Sequence, residues 1–211
     1  MNLPKLYLKL CFLFSGACLF LACQDNTNPG SNNVVITPSS SSPGGQVINA
    51  SLDKSPMDMS YYPVDYPKEQ MTKNTTEPLV ARVIYSRPKK DGRVIFGDVL
   101  KYGAPWRLGA NEATEIEFFQ DVTVDNHKID KGRYIIYCIP FQDNWKLVLN
   151  NDLFTWGLKI DSTKDIYSFK VPVVKTRYPF ELFTMEFSKA EKGMNLNIAW
   201  DNARVAVPIK Y

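Results

Sequence analysis

The sequence has few residues with which to hold a metal or a nucleotide. Its 211 residues include one histidine and four cysteines, too few for the clustered ligands of a zinc site. An aspartate-rich calcium loop, a Walker glycine–lysine motif and a Gly-x-Gly-x-x-Gly motif are also missing. These absences exclude zinc enzymes and the common nucleotide-binding enzymes, and we expect neither a cofactor nor a metal.

The residue inventory also argues against a serine hydrolase. A Ser-His-Asp triad needs a histidine beside its serine, and the Gly-x-Ser-x-Gly turn that often carries the serine does not occur. The one histidine, His127, follows the turn-forming pair Asp125-Asn126. We therefore expect His127 to be exposed at a hairpin turn rather than to take part in catalysis.

Charge of one sign is scarce as well. The chain carries 25 lysine and arginine residues against 22 aspartate and glutamate residues, a net charge of +3. Lys5 and Lys9 lie in a predicted leader, and their removal would leave a net charge of +1. A surface that binds nucleic acid carries a dense patch of lysine and arginine. We therefore expect no nucleic-acid partner.

The segment 1–22 is predicted to be a signal peptide. Lys5 and Lys9 give its start a positive charge, and the run from Leu10 to Ala22 contains no charged residue. A membrane-spanning helix needs about 20 apolar residues, more than this run provides. We therefore expect cleavage after Ala22 rather than a retained transmembrane helix.

The end of this run resembles the lipobox of bacterial lipoproteins. The residues FLAC at 20–23 place alanine before a cysteine, although the usual motif has leucine first and a small residue second. The resemblance implies that Cys23 is lipidated, and several acyl chains attach a protein stably to a membrane. Gln24 is not the acidic residue that retains lipoproteins in the inner membrane, which implies the outer membrane. The alternative is a soluble secreted protein.

One cysteine lies far from the leader. Cys11 and Cys18 are removed with the predicted signal peptide and Cys23 carries lipid, so Cys138 has no partner for an intrachain disulfide. Cys138 lies in the apolar, strand-like run 133–139. We expect it to be a small buried side chain rather than a reactive thiol.

The chain after Cys23 is predicted to change from disorder to order. Residues 24–54 are rich in Asn, Ser, Pro and Gly without a hydrophobic period, which is typical of a flexible, disordered tether. Residues 55–78 contain more Tyr, Pro and Met, and we expect an irregular N-terminal arm packed on a domain. The predicted domain spans residues 55–211.

From Leu79 onward, apolar residues recur with a period of two, as in half-buried strands. The alternation is clearest at 115–118, 145–149, 183–187 and 194–200. Asp125-Asn126 predicts a hairpin, and Asp201-Asn202 predicts a second, terminal hairpin that joins 194–200 to 205–209. One short helical turn is expected within 151–157. Short strands broken by turns predict an all-β fold, an immunoglobulin-like or jelly-roll-like antiparallel β-sandwich.

The most unusual residues lie between positions 85 and 114. They comprise YSRP at 85–88, GRVIFG at 92–97 and YGAPWRLGANEAT at 102–114, and GRY at 132–134, Trp145, Trp156-Gly157 and the strand 183–187 accompany them. Over residues 55–209 these stretches closely resemble a family of bacterial envelope proteins known as domain of unknown function 2911. The resemblance implies a compact β-rich domain in a secreted protein or lipoprotein, and it brings no catalytic residue.

The acidic residue in the last of these motifs predicts a break in the chain. If 104–118 were one strand, Glu112 would point into the core, where an unpaired carboxylate costs several kcal/mol. Such a strand would also exceed the usual length. We therefore predict a bend or bulge at 109–111, with Arg107 or Arg87 as the charged partner of Glu112.

Two interpretations of this region stay open. The candidate residues are Tyr85, Arg87, Tyr102, Trp106, Arg107, Asn111 and Glu112. In the first interpretation, the charged and amide residues pair with one another and fix a corner of the sandwich. In the second, they line a groove in which aromatic faces and charge-assisted hydrogen bonds hold a polar ligand such as a sugar.

From these observations we predict a membrane-anchored envelope lipoprotein whose domain is a non-catalytic binding module for a glycan-like or protein ligand. The alternative is a carboxylate-dependent hydrolase of envelope polysaccharide, in which Glu112 acts with a second acid such as Glu181 or Glu186. A purely structural role in the envelope is the third hypothesis. The catalytic residues of such a hydrolase are not identified by the sequence.

Overall fold

The computed structural model describes residues 53–73 and 77–211. In chain order the elements are β1 (Met57–Tyr62), α1 (Tyr66–Lys73), β2 (Ala81–Ser86), β3 (Glu115–Phe118), β4 (Val122–Val124), β5 (His127–Ile129), β6 (Gly132–Pro140), β7 (Asn144–Asn150), a 3-10 turn (Ser162–Lys164), β8 (Asp165–Pro172), β9 (Val174–Ala190) and β10 (Gly193–Lys210). The predicted signal peptide, Cys23 and most of the tether lie outside the described residues. Among those residues, no helix has the length and apolar character needed to cross a membrane.

The strands form two antiparallel sheets that pack on each other, which confirms the predicted all-β sandwich. The larger sheet has the order β1-β2-β3-β6-β7-β8, and the smaller has the order β5-β4-β10-β9. Neighbouring strands of the larger sheet are mostly consecutive in the sequence, but only β6 and β7 are joined by a short turn. α1 lies between β1 and β2, and the long connection between β2 and β3 carries the unusual motifs.

The core lies between the sheets and is built from the alternating residues that the sequence identified. In β3 the burial alternates, with Ile116 and Phe118 inward. In β9 the side chains of Met185 and Phe187 are buried beside Leu196 of β10. Burial of one such side chain stabilises the fold by about 1.5–3 kcal/mol, so the facing rows hold the sheets together.

The turn between β4 and β5 forms as predicted. Asp125 and Asn126 have φ angles of 49° and 60°, and two consecutive residues with positive φ form the tight turn that suits a two-residue hairpin. Asn and Asp tolerate this conformation better than other side chains. The turn places His127 at the exposed start of β5.

The second predicted hairpin is wrong. Asp201 lies within β10, a continuous strand, at a bulge where the pairing with β9 shifts register. The turn that reverses the chain lies instead between Ala190 of β9 and Gly193 of β10. Asp201 resembles a turn residue because its φ is 48°, yet its carboxylate is largely buried and accepts the Ile95 N–H at 3.3 Å. A tertiary contact thus explains an aspartate in mid-strand.

Two further local predictions need correction. Residues 57–73 are not an irregular arm, because β1 pairs with β2 over its whole length and α1 follows. No helical turn forms within 151–157. A single turn lies at Ser162–Lys164, where the Asp161 side chain accepts the Thr163 N–H at 3.1 Å and so caps the turn.

Two glycines with positive φ provide a matched test of the fold. Gly193 (φ 105°) begins β10, and a Cβ there would collide with the carbonyl oxygen of Ile209, whereas a Cβ at Gly92 (φ 70°) would meet nothing within 4 Å. We expect Gly193→Ala to lower the free energy of unfolding by at least about 3 kcal/mol, because strain and overpacking combine. Gly92→Ala should cost about 1 kcal/mol, the conformational cost alone. Urea unfolding measures both, and equal losses would contradict the assigned close approach.

Candidate functional site

The described residues form an open cleft of about 540 Å³ where β1, the start of α1 and β9 meet. We call it the edge cleft. The polar side chains that line it belong to Asp58, Ser60, Tyr61, Asp65, Lys68 and Glu186. Tyr85, Met185 and Phe187 also line it, and all three are buried in the sandwich. The edge cleft therefore has a polar, exposed rim above a buried, largely apolar floor.

The edge cleft exists because each sheet ends in an open edge on this side of the sandwich. β1 is the outer strand of the larger sheet and β9 is the outer strand of the smaller sheet. No strand-to-strand ladder joins β1 to β9 in the described structure. The two edges lie side by side, so the backbone groups of β9 that face β1 need other partners.

At 181–183 the segment 88–90 pairs with β9 through its backbone. At 183–187 side chains of β1, of β2 and of the adjacent Arg87 supply the partners. The Ser60 hydroxyl accepts the backbone N–H of Phe187 at 3.1 Å. Arg87 donates from Nε to the carbonyl oxygen of Phe183 at 3.3 Å. The Tyr85 hydroxyl is hydrogen-bonded to the backbone of Met185. These three contacts fix the spacing of the two edges and hold the floor of the cleft in place.

Asp58 is the centre of the polar network on the β1 side. Its Oδ2 lies 3.0 Å from Nη1 of Arg87, and Oδ1 accepts the Met59 backbone N–H at 2.8 Å. Arg87 also donates from Nη2 to the Thr184 hydroxyl at 3.1 Å. The prediction that Arg87 pairs with Glu112 is therefore wrong. Because the Asp58 side chain is 41% exposed, its carboxylate can accept a further hydrogen bond from a ligand.

Tyr85 lies beneath this network as a neutral donor. Its hydroxyl donates to Asp58 Oδ2 at 3.4 Å, and its ring meets the Phe183 ring edge-on, with the centroids 5.7 Å apart. Burial, with a smaller contribution from the charge of Asp58, raises the pKa of Tyr85 to about 12. The hydroxyl therefore keeps its proton throughout the physiological range.

Trp106, predicted as part of a ligand groove, is a core residue. Its ring stacks on Trp200 with the centroids 5.7 Å apart, and it meets Trp145 and Phe183 edge-on. The indole N–H donates to the carbonyl oxygen of Gly109 at 3.2 Å. The side chain is only 6% exposed, so it offers no face to a ligand, and this part of the prediction is wrong.

The predicted bend forms and explains where Glu112 lies. Leu108, Gly109 and Asn111 have φ angles of 54°, 154° and 59°, so the chain turns before β3 begins. Glu112 is consequently exposed, and it makes no ion pair or hydrogen bond with the described residues. Burial lowers the pKa of Arg107, and the nearby charge of Glu112 opposes that shift. The predicted bidentate pair is therefore absent from the described structure.

The remaining candidates lie at other places. Asn111 donates to the side chain of Asp53 and to the Ser55 carbonyl oxygen, the latter at 3.3 Å. Tyr102 is partly exposed beside Phe141 in a separate groove. The structure therefore brings Tyr85 and Arg87 together at the edge cleft and does not unite the seven candidates in one groove.

The acidic and hydroxyl residues of the edge cleft were missed because 55–78 was interpreted as an irregular arm. In β1, Asp58 and Ser60 alternate with the exposed Met57 and Met59. That period of two could have predicted a strand. The strand is short, however, and it directly follows a segment whose composition is typical of disorder. Glu186 was considered only as a partner for Glu112. Its place on an open sheet edge depends on a pairing order that the sequence does not specify.

Two predictions about single residues are confirmed. His127 is exposed, and its ring stacks on Tyr167 with the centroids 4.0 Å apart. Cys138 is fully buried in β6, and burial raises the pKa of its thiol well above the usual value. In the described part of the chain, no three His, Cys, Asp or Glu side chains form a group that holds a metal ion.

Comparison with known families supports the resemblance seen in the sequence. A family model described as "Protein of unknown function (DUF2911)" matches residues 67–209. The match begins within α1 and continues to Ile209 in β10, so Asp58 and Ser60 precede it whereas Tyr85 and Glu186 lie within it. Searches of curated proteins and of solved structures found no match.

The contrast between two tryptophans tests the corrected role of Trp106. We expect Trp106→Ala to lower the free energy of unfolding by about 3–5 kcal/mol, because it leaves a large cavity between the sheets. Trp156→Ala should cost less than about 1 kcal/mol, since Trp156 is exposed and contributes chiefly a cation–π contact. Denaturant unfolding followed by circular dichroism measures both. A Trp106→Ala protein of unchanged stability would contradict the core assignment.

Proposed function

The chain belongs to the DUF2911 family, and we propose from its own geometry that the domain is a non-catalytic binding module for a glycan-like ligand, held at a bacterial membrane through lipidated Cys23. The observation that carries the binding role is the edge cleft. It is open to solvent, its volume of about 540 Å³ lies within the range usual for ligand sites, and its rim carries hydrogen-bonding groups of both kinds.

The chemistry of the rim favours a ligand rich in hydroxyl groups. Asp58, Asp65 and Glu186 offer carboxylate acceptors, while Lys68 offers an ammonium donor. Tyr61 adds an aromatic ring with a hydroxyl at its tip. A sugar presents several hydroxyl groups around an apolar ring, and these groups complement such a set. A purely apolar ligand would displace water from the exposed carboxylates without replacing its hydrogen bonds.

The cleft is organised before any ligand arrives. The contacts of Ser60, Tyr85 and Arg87 with the β9 backbone fix the two edges, and Arg87 also orients Asp58. A ligand therefore binds without first ordering these side chains, which reduces the entropic cost of association. This arrangement supports a binding role for the β1 side of the sandwich.

Membrane attachment is supported by the sequence before the described residues. The positive start, the apolar run and the position of Cys23 agree with a lipoprotein leader. Gln24 favours the outer membrane. Residues 24–54, rich in Ser, Pro and Gly, would separate the domain from the lipid headgroups. In this proposal the domain stays attached to the membrane and binds its ligand near the membrane surface.

A carboxylate-dependent hydrolase is the second candidate function, and one observation favours it. Three carboxylates, those of Asp58, Asp65 and Glu186, line the same open cleft. The acids first considered do not meet there, because the cleft lining includes neither Glu112 nor Glu181. A hydrolase acting in this cleft would therefore draw its paired acids from Asp58, Asp65 and Glu186, and not from Glu112.

Ligand binding can be tested with two acidic residues of one strand. Glu186 lines the edge cleft, whereas Glu181 lies outside it and accepts the Asp91 backbone N–H at 2.9 Å. We expect wild-type protein to bind a subset of a bacterial glycan array. Glu186→Gln should weaken that binding about tenfold or more, as expected for loss of a hydrogen bond to a charged group, while Glu181→Gln should leave it unchanged. Both variants should unfold within about 0.5 kcal/mol of wild type.

Equal binding by the two variants would contradict the edge cleft as the site, and failure of every glycan to bind would contradict the ligand class. The same proteins separate the two candidate functions. Release of shortened glycan by wild type, lost in both Asp58→Asn and Glu186→Gln, would favour the hydrolase over the binding module.

The anchor is tested by substituting the predicted lipidated residue. Wild-type protein expressed with its leader should fractionate with membranes, and its intact mass should correspond to a chain that begins at Cys23 and carries acyl groups. Cys23→Ala should lack the acylated species, whereas Cys18→Ala, a control within the leader, should retain it. A wild-type chain without acyl mass, or an acylated Cys23→Ala chain, would contradict lipidation at this residue.

A further inference from the structure

The loop between β7 and the 3-10 turn displays an exposed apolar patch. We call residues 151–160 the aromatic loop. Within it Phe154 is 81% exposed, Trp156 is 52% exposed and Leu158 is 74% exposed. One exposed apolar side chain is ordinary on a protein surface, but three at alternate positions of one loop mark a surface that contacts something other than water.

The aromatic loop is held in this shape by the body of the domain. The Ala113 N–H donates to the Thr155 carbonyl oxygen at 3.1 Å, and Arg107 Nη1 donates to the Trp156 carbonyl oxygen at 2.8 Å. Gly157 packs so closely that a Cβ there would lie 2.9 Å from the Cβ atoms of both Arg107 and Ala113. The backbone between the apolar side chains is therefore fixed against the domain, and those side chains point away from it.

The backbone of the aromatic loop is strained at Phe154. Phe154 has a φ of 61°, a conformation that is unfavourable for a bulky residue. Its ring is nevertheless almost fully exposed, so burial in the domain does not compensate for the strain. A partner that covers the ring would supply the missing apolar contact.

Charged groups of both signs lie around the patch, with Glu112 near Arg107 and Asp152 of the loop paired with Lys164. The Arg107 guanidinium lies 5.7 Å from the Trp156 ring centroid, and that of Arg133 lies 5.9 Å from the Phe154 ring centroid. Lys159 is exposed next to Leu158. Protein segments that enter the boundary between water and lipid typically expose aromatic and aliphatic side chains that are flanked by arginine and lysine.

The patch lies beside the place where the N-terminal part of the chain joins the domain. Asn111 contacts Asp53 and Ser55, the first part of the chain that the structure describes. Two residues after Asn111, Ala113 binds the aromatic loop through Thr155. The described chain therefore enters the domain on the side that displays the patch.

We propose that the aromatic loop docks on the lipid bilayer, inserting Phe154, Trp156 and Leu158 into its interfacial layer. This inference rests on the membrane attachment through Cys23 proposed above. The lipid supplies the attachment, and the loop gives the tethered domain a defined orientation. Arg133 also pairs with Glu115 and Glu117, so little positive charge is in excess, and the apolar interface rather than anionic headgroups is the matching surface.

The tryptophan content of the chain provides a direct test. The sequence has four tryptophans, of which Trp106, Trp145 and Trp200 are buried in the core and Trp156 is exposed. Processed protein purified from membranes is placed in phosphatidylethanolamine and phosphatidylglycerol vesicles, with detergent-solubilised protein as the reference. We expect quenching of Trp156 fluorescence by aqueous iodide to fall several-fold in vesicles. Lipids brominated in their acyl chains should quench it, and Trp156→Phe should remove most of that response.

A second set of variants tests the insertion itself. In protein with both Phe154→Ser and Leu158→Ser, iodide should reach Trp156 in vesicles almost as well as in detergent. Tyr178→Ser, which changes a side chain 71% exposed on β9, is the matched control and should leave Trp156 shielded. All of these positions are exposed, so the variants should fold.

The outcomes distinguish insertion of the aromatic loop into the bilayer from attachment of the chain through Cys23. Protein that floats with vesicles while Trp156 stays accessible to iodide would overturn the docking and leave the anchor intact. Protein that does not float with vesicles would overturn the anchor and with it the inference. Shielding of Trp156 in native envelopes but not in protein-free vesicles would overturn the bilayer as the partner and indicate a protein instead.

Discussion

Trp106 connects the two sheets and the long segment between β2 and β3. Its backbone exchanges hydrogen bonds with Cys138 of β6 at 2.7 and 2.8 Å, while its ring stacks on Trp200 of β10. Because both sheets hold this one residue, the positions on either side of it are fixed at the surface. Tyr102 lies beside Phe141, and Arg107 supports the aromatic loop. A tryptophan that resembles a ligand platform in the sequence therefore organises the surfaces around it.

The edge cleft exists because the two sheets of the sandwich do not close into a barrel. A closed barrel would join its last strand to its first by a backbone ladder, whereas here side chains bridge β1 and β9. A ladder leaves no room for a ligand, but a bridge of side chains leaves the edge cleft and places Asp58 and Ser60 at its rim. The same polar groups that satisfy the sheet edge therefore also line the proposed binding surface.

The sequence predicted those parts of the fold that depend on local pattern. Period-two alternation identified the strands around Ile116 and Met185, and Asp125-Asn126 identified a tight turn, because both signals come from neighbours in the chain. The turn predicted at Asp201 was wrong because a distant contact decides its position. Its local conformation is that of a turn residue, and only the contact with Ile95, 106 positions away, shows that it lies inside a strand.

The candidate site was predicted less well than the fold. The bend before Glu112 was correctly inferred from the cost of burying a carboxylate, yet the partner of Arg87 was not, since Asp58 reaches it only after β1 pairs with β2. Trp106 was wrongly predicted to line a ligand groove. An aromatic residue among polar ones is equally typical of a sugar-binding site and of a core residue at a bend in the chain. Such assignments depend on the packing of both sheets, which no single segment contains.

The order of the strands also bears on the behaviour of many copies crowded together. A sandwich of two open sheets has free edges, and an uncovered edge pairs readily with the same edge of a neighbouring molecule. β8 carries Lys170 and Pro172 along its free edge, β5 is only 3 residues long, and β9 is covered by side chains of the other sheet. Each of these features hinders pairing at its own strand, so three of the four edge strands are poor templates for association between crowded copies.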